Sequence, residues 1–154
     1  MKTLIRGLAT FGPVGYVPVA PATAGSALVA LVGWFIPAPG ISETVALLCV
    51  GAIAAMWLAG EAEKELGHDA KPIIVDEAVG QSVALLFVPR TIVAFAIAFV
   101  LFRIFDVWKP FGAKQAQRLE GGLGVVADDV IAGLTACLVF HVGRLGLRAI
   151  GWAV

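Results

Sequence analysis

The uncharged stretches of this chain make it deeply apolar, yet they are too short to form a simple row of membrane-crossing helices. Residues 7–42 carry no charge, but Pro13, Pro18, Pro21, Pro37 and Pro39 cut that run into pieces. Residues 44–60 form the cleanest span, with 17 uncharged positions; 78–89 and 91–102 have 12 each, and 130–143 has 14 with His141 neutral. A full helical crossing takes about 20 apolar residues. Several helices must therefore carry charged ends, be shielded by neighbours or penetrate incompletely. Hydrophobic residues make up 60% of the chain and charged residues 14%, against roughly 25% charge in soluble domains. The chain reads as an integral membrane protein. The expected architecture is all-α, a compact membrane-embedded bundle of about five to six helices forming one domain over residues 1–154.

Proline and glycine punctuation divides the helices. Residues 1–22 read as an irregular segment, and a helix over 23–35 follows, with Thr23 or Ser26 as its cap. The free N–H groups and positive dipole end of such a helix start also suit an anion. Pro37-Ala38-Pro39-Gly40 predicts a tight turn, and a long helix over 42–66 ends in the charged, solvated run Glu61-Ala-Glu-Lys-Glu65. Further helices are expected over 76–87 and 91–108, then a short interfacial helix over 111–119 that carries Lys114 and Arg118 four apart. Glu120-Gly-Gly-Leu-Gly124 reads as a flexible loop before a last helix that carries Asp128 and Asp129. Cys49 and Cys137 lie in apolar runs and read as buried structural thiols. Lys2 and Arg6 precede apolar sequence that prolines interrupt at once, unlike a cleaved signal peptide.

The charges that remain are few and grouped. Arg103, Asp106 and Lys109 step by three at the end of an uncharged run, on neighbouring strips of one helix side, and Pro110 closes that helix. Two acidic pairs stand elsewhere, Asp76-Glu77 and Asp128-Asp129. If the helices starting near Thr23, Ser42, Asp76, Thr91 and Val130 each cross once, Lys2, Arg6, Lys64, Lys71, Arg103, Lys109, Lys114 and Arg118 share one side. Arg90, Arg144 and Arg148 take the other, so the richer side is cytoplasmic by the positive-inside rule. All five paired or stepped carboxylates, and the Thr23 to Ser26 helix start, fall on that same side.

Five carboxylates brought together repel one another unless a cation neutralises them. Oxygen donors without a His or Cys cluster point to Mg²⁺, with Ca²⁺ or Mn²⁺ as alternatives. Arg103 and Lys109 suit phosphate oxygens, one as a fork and one as a point charge. The combination suggests metal-assisted phosphoryl transfer or hydrolysis at a membrane surface. Intramembrane carboxylates also fit a proton- or ion-coupled transporter, although these sit at helix ends and no paired broken helices occur. A zero formal net charge and the lack of a basic tract argue against nucleic acid. No G-x-S-x-G elbow is present, and no feature calls for a protein partner.

Four blocks in this order resemble the phosphatidylglycerophosphatase A family: Pro21-Ala-Thr-Ala-Gly-Ser26, Ile74-Val-Asp-Glu-Ala-Val-Gly80, Phe102-Arg-Ile-Phe-Asp-Val-Trp-Lys-Pro110, and Gly121-Gly-Leu-Gly-Val-Val-Ala-Asp-Asp-Val-Ile-Ala-Gly133. The resemblance implies an all-helical, Mg²⁺-dependent enzyme of the bacterial inner (cytoplasmic) membrane. Such an enzyme would convert phosphatidylglycerol phosphate to phosphatidylglycerol and inorganic phosphate in phospholipid synthesis, and the crossings and charge bias above would make it multi-pass with its site facing the cytoplasm. It implies that Asp76, Glu77, Asp106, Asp128 and Asp129 are the catalytic and metal-binding carboxylates. Arg103 and Lys109 would bind the substrate phosphate, aided by Thr23 and Ser26. Attack by a metal-activated water and a covalent aspartyl-phosphate both remain open. Ala22 stands where the family's first block usually has glycine, so a turn relying on glycine's freedom there must differ.

Overall fold

The computed structural model describes residues 2–36 and 39–151, so part of the expected turn at Pro37 to Gly40 lies outside the described residues. Among those described are seven α-helices and no strand: α1 (Lys2–Ala9), α2 (Pro21–Phe35), α3 (Ile41–Leu66), α4 (Val75–Ala84), α5 (Ile92–Trp108), α6 (Ala113–Ala116) and α7 (Gly122–Ala149). The all-α expectation holds, with one helix more than the upper expected number. The addition is α1, in the segment read as irregular. Its Gly7 weakens helix propensity, but Ala9 is fully buried where α1 packs on α3.

Alternating helix directions sort the ends of the bundle into two groups. At one end Arg103 of α5 reaches Ser26 of α2, Gly60 of α3 lies against Gly122 of α7, and Asp76 of α4 gathers with Asp129 of α7. At the other, Arg90 bonds the carbonyls of Gly33 and Trp34, and His141 of α7 meets the Leu86 carbonyl at 2.9 Å. The starts of α2, α4 and α7 thus meet the ends of α3 and α5, the gathering that the charge pattern implies. One part of the five-crossing scheme does not hold. With ten residues, α4 is about 15 Å long, half the hydrocarbon thickness, and it is buried centrally rather than spanning alone.

Small residues set the packing. Gly80 of α4 faces both Phe102 and the backbone of α7: a Cβ there would sit 2.6 Å from the Phe102 ring and 2.7 Å from the Asp129 carbonyl oxygen. Gly122 is more constrained still, since an added Cβ would lie 1.8 Å from the Met56 carbonyl oxygen. That contact corrects the expected loop at 120–124. Gly122 serves close approach to α3, Gly124 packs against the Leu119 carbonyl, and α7 begins at Gly122, which places Asp128 and Asp129 inside a formed helix. The expected helix over 111–119 contracts to the four residues of α6 between turns.

Two helices, α3 and α7, are long and apolar enough to cross a membrane. Only 17% of the apolar stretch of α3 is buried, unlike the mostly buried core helix of a water-soluble fold. Its Val50, Ile53 and Trp57 point outward, as do Leu138 and Val142 of α7 and Ile97 of α5. Cys49 is exposed on this surface and Cys137 half-buried, so neither is the fully buried thiol expected.

Candidate active site

The site grows from the first turn of α4. Asp76 and Glu77 sit where carboxylates oppose the positive end of the helix dipole. They do not stay at the surface, because α2, α3 and α7 all pack around this short helix. Both are buried, and α7 brings Asp129, also buried, beside them. One oxygen from each of the three lies within 4.8 Å of the others. Asp76 Oδ1, Glu77 Oε2 and Asp129 Oδ2 have no hydrogen-bond partner among the described residues. Orphaned buried acceptors cost about 1–3 kcal/mol each, more when charged. Three gathered carboxylates, each with an oxygen that has no donor, fit a hard divalent cation, which the chemistry of this donor set also favours.

The remaining two carboxylates are held differently. Asp106 Oδ2 accepts from Arg103 Nη1 at 2.8 Å, and Asp128 Oδ2 pairs with Lys109 Nζ while its Oδ1 has no partner among the described residues. Asp106 also bears electrostatically on Glu77 and Asp129, so all five acidic residues form one neighbourhood. The structure divides them into an inner triad and an outer pair, each outer acid on one cation. Lys109 reaches Asp128 because α5 ends at Trp108: the following Pro110 disfavours further α-helix, and Lys109 turns to φ 51. The left-handed turn costs about 1–2 kcal/mol in a non-glycine residue. The three residues that step by three in sequence therefore do not share one helix surface.

Burial, then the neighbouring charges of Glu77 and Asp129, pushes the Asp76 carboxyl well above the usual range. Burial likewise raises Glu77. Burial alone would lower Lys109, but the hydrogen bond and charge of Asp128 outweigh it and hold the ammonium above its ordinary value.

Ser26 and Thr23 need correction as helix caps. Helix α2 starts two residues before Thr23, at Pro21, whose missing N–H and fixed φ suit a first helical position. Ser26 is fully buried inside the helix; its Oγ donates to the Ala22 carbonyl at 2.9 Å and accepts from Arg103 Nη1 at 3.3 Å. Ser26 thus orients Arg103. Thr23 lines a groove beside Arg103 and does not join the triad. Ala22 lies within the helix, so no glycine angle is needed there; the left-handed residue is Ala20 at φ 51. His68 bonds Glu63 at 2.5 Å on the exposed end of α3. Sequence reasoning missed Gln81, one helical turn beyond Glu77. It is fully buried, with neither amide oxygen nor nitrogen partnered among the described residues. Its four-residue spacing from Glu77 was the available signal.

An all-helical chain with buried carboxylates beside an arginine and a lysine, at one end of an apolar bundle, has the make-up of a helical phosphohydrolase. The family profile described as Phosphatidylglycerophosphatase A matches residues 7–144. An Escherichia coli (strain K12) protein named Phosphatidylglycerophosphatase A is 34% identical over 139 residues, 84% of this chain and 78% of that protein. A Bacteroides thetaiotaomicron protein, provisionally named phosphatidylinositol-3-phosphatase, is 36% identical over 138 residues, 84% of this chain and 87% of that one. A Haemophilus influenzae protein named Phosphatidylglycerophosphatase A is 39% identical over 74 residues, 47% of this chain and 45% of its own. No solved structure gives a significant match. The chain belongs to the phosphatidylglycerophosphatase A family, and with it to the phosphoric monoester hydrolases.

Proposed function

We propose that this protein hydrolyses phosphatidylglycerol phosphate to phosphatidylglycerol and inorganic phosphate at the cytoplasmic face of a bacterial inner membrane, using Mg²⁺. The observation that carries the reading is the pairing of an inner triad of unpartnered carboxylate oxygens with two cations held just outside it. Asp76, Glu77 and Asp129 would hold the ion, with Asp106 and Asp128 at its edge. Bound there, Mg²⁺ neutralises the carboxylates and supplies Lewis acidity to the phosphate and to water. Arg103 and Lys109 bind the phosphate oxygens and stabilise the charge that develops on the transferring group. Asp106, Asp128 and Ser26 aim those two cations, and Thr23 stands beside Arg103 at the approach. A water oxygen bonds to phosphorus as the ester bond breaks. The water's proton passes to a carboxylate of the cluster, and the departing glycerol oxygen takes one up.

The exposed apolar faces of α3, α5 and α7 support a multi-pass membrane setting, and the eight basic residues grouped at the site end support a cytoplasmic orientation. The substrate reading is tested by measuring phosphate release from phosphatidylglycerol phosphate and phosphatidylinositol 3-phosphate side by side. Higher kcat/KM on the glycerol lipid supports the reading; preference for the inositol lipid would reassign the substrate within the same chemistry. Ion-gradient-dependent flux in liposomes without phosphate release would instead favour the transporter alternative.

A further inference from the structure

The seam between α2 and α5 runs downward from the phosphate-binding end. Its upper part is an open groove of about 640 Å³, with Thr23, Phe99 and Arg103 among its lining residues. Its lower part, about 420 Å³, is lined by Ala27, Ala30, Ala96 and again Phe99. Phe99 borders both, so the two parts adjoin end to end and make a single mostly apolar track when taken together. Helical spacing accounts for it: Thr23, Ala27 and Ala30 step along one face of α2, while Arg103, Phe99 and Ala96 step along the facing side of antiparallel α5. Alanines keep the seam shallow where larger residues would fill it. Trp34 and Phe95 meet edge to face at 5.3 Å near its far end. From Thr23 to Trp34 the track runs about 16 Å along the helix, close to the ~15 Å hydrocarbon depth of one leaflet.

We propose that the α2–α5 seam, headed by Arg103, is the subsite for an acyl chain of the lipid whose phosphate enters the active site. The proposal rests on the phosphatase reading and adds where the diacyl part lies. Charge complementarity selects the occupant: a lipid phosphate meets Arg103 at the head of the track, and its hydrocarbon continues along residues that carry no charge. The groove between α3 and α4, around Gly51 and Ser82, has no charged residue in its lining, and that between α5 and α7 has only Arg144, at the opposite end of the bundle.

Ala27 and Ala96 are exposed, so Ala27→Phe and Ala96→Phe fill the track without entering the core. The experiment compares kcat/KM for phosphatidylglycerol phosphate with two oleoyl chains and with two hexanoyl chains, in mixed micelles. In each filled variant the long-to-short ratio should fall at least about tenfold, the scale at which a few displaced methylenes count. Ile53→Phe, on the outer face of α3, should leave that ratio as in wild type. An unchanged ratio in both filled variants overturns the proposal. A loss of dimer mass in detergent with no change in ratio also overturns it, assigning the seam to a second copy of the chain. Wild-type protein that releases no phosphate from either lipid would refute the phosphatase reading itself, a distinguishable failure.

Discussion

Each site cation already has a carboxylate partner, so an arriving phosphate must compete with Asp106 for Arg103 and with Asp128 for Lys109. A divalent ion among the inner acids would favour phosphate in that competition, because it would reduce the negative charge that otherwise repels it. Arg103→Ala should lower kcat by about 10²–10³, the usual effect of deleting a donor aimed at developing charge. Arg103→Lys should recover part of that loss, since it keeps the charge but not the fork. Equal rates for wild type and Arg103→Ala would remove Arg103 from the phosphate site. The inner acids make a separate prediction. Asp76 and Glu77 have raised folded-state values, so the folded metal-free protein binds protons more tightly than the unfolded chain. Its stability should therefore fall as pH rises from the ordinary carboxylate range through the raised values. Thermal melts in chelator should show Tm dropping over that window, and Mg²⁺ should oppose the drop. A Tm in chelator that rises with pH across the same window would contradict the assignment.

Among the elements, α4 concentrates the design: it is short, centrally packed and carries both the buried acidic pair proposed to hold the metal and the glycine that lets α5 and α7 close on it. Gly80→Ala places a Cβ 2.6 Å from the Phe102 ring and 2.7 Å from a backbone oxygen. The variant should be destabilised by about 1–3 kcal/mol, the range for overpacked interiors, and should lose activity as Asp129 shifts. An unchanged Tm would show that the α4–α7 contact is looser than described. The carboxylates were legible in the sequence because ionisable groups are rare and costly in an apolar chain. Gly80, four residues beyond Asp76, leaves that side of the helix bare, so close approach there is legible from the sequence alone. The start of α7 was not, because glycines that permit helix contact and glycines that make a loop look alike until the facing helix is known. The first helix was hidden for a related reason: its stability comes from packing on α3, a long-range contact that local propensity does not carry. Gln81 escaped notice because an uncharged amide stands out only once its burial is known.

At the scale of the whole molecule, the antiparallel helices bring every candidate site residue to one end and leave an apolar outer surface. Cys49 lies on that surface, exposed on α3. In membranes it should resist a charged, membrane-impermeant maleimide added to either side, and react once detergent denaturation frees it. Rapid labelling in intact membranes would place α3 in water. The family assignment, the buried triad and the paired cations converge on one claim, that a carboxylate-held metal drives phosphate release from a lipid phosphomonoester. The most direct test is phosphate release from phosphatidylglycerol phosphate by the purified protein, with Mg²⁺ and with excess chelator, in wild type and Asp129→Asn. The account predicts release that requires Mg²⁺ in wild type and disappears in Asp129→Asn while its helical circular dichroism is retained. Release that persists in excess chelator, or in a folded Asp129→Asn protein, would contradict it.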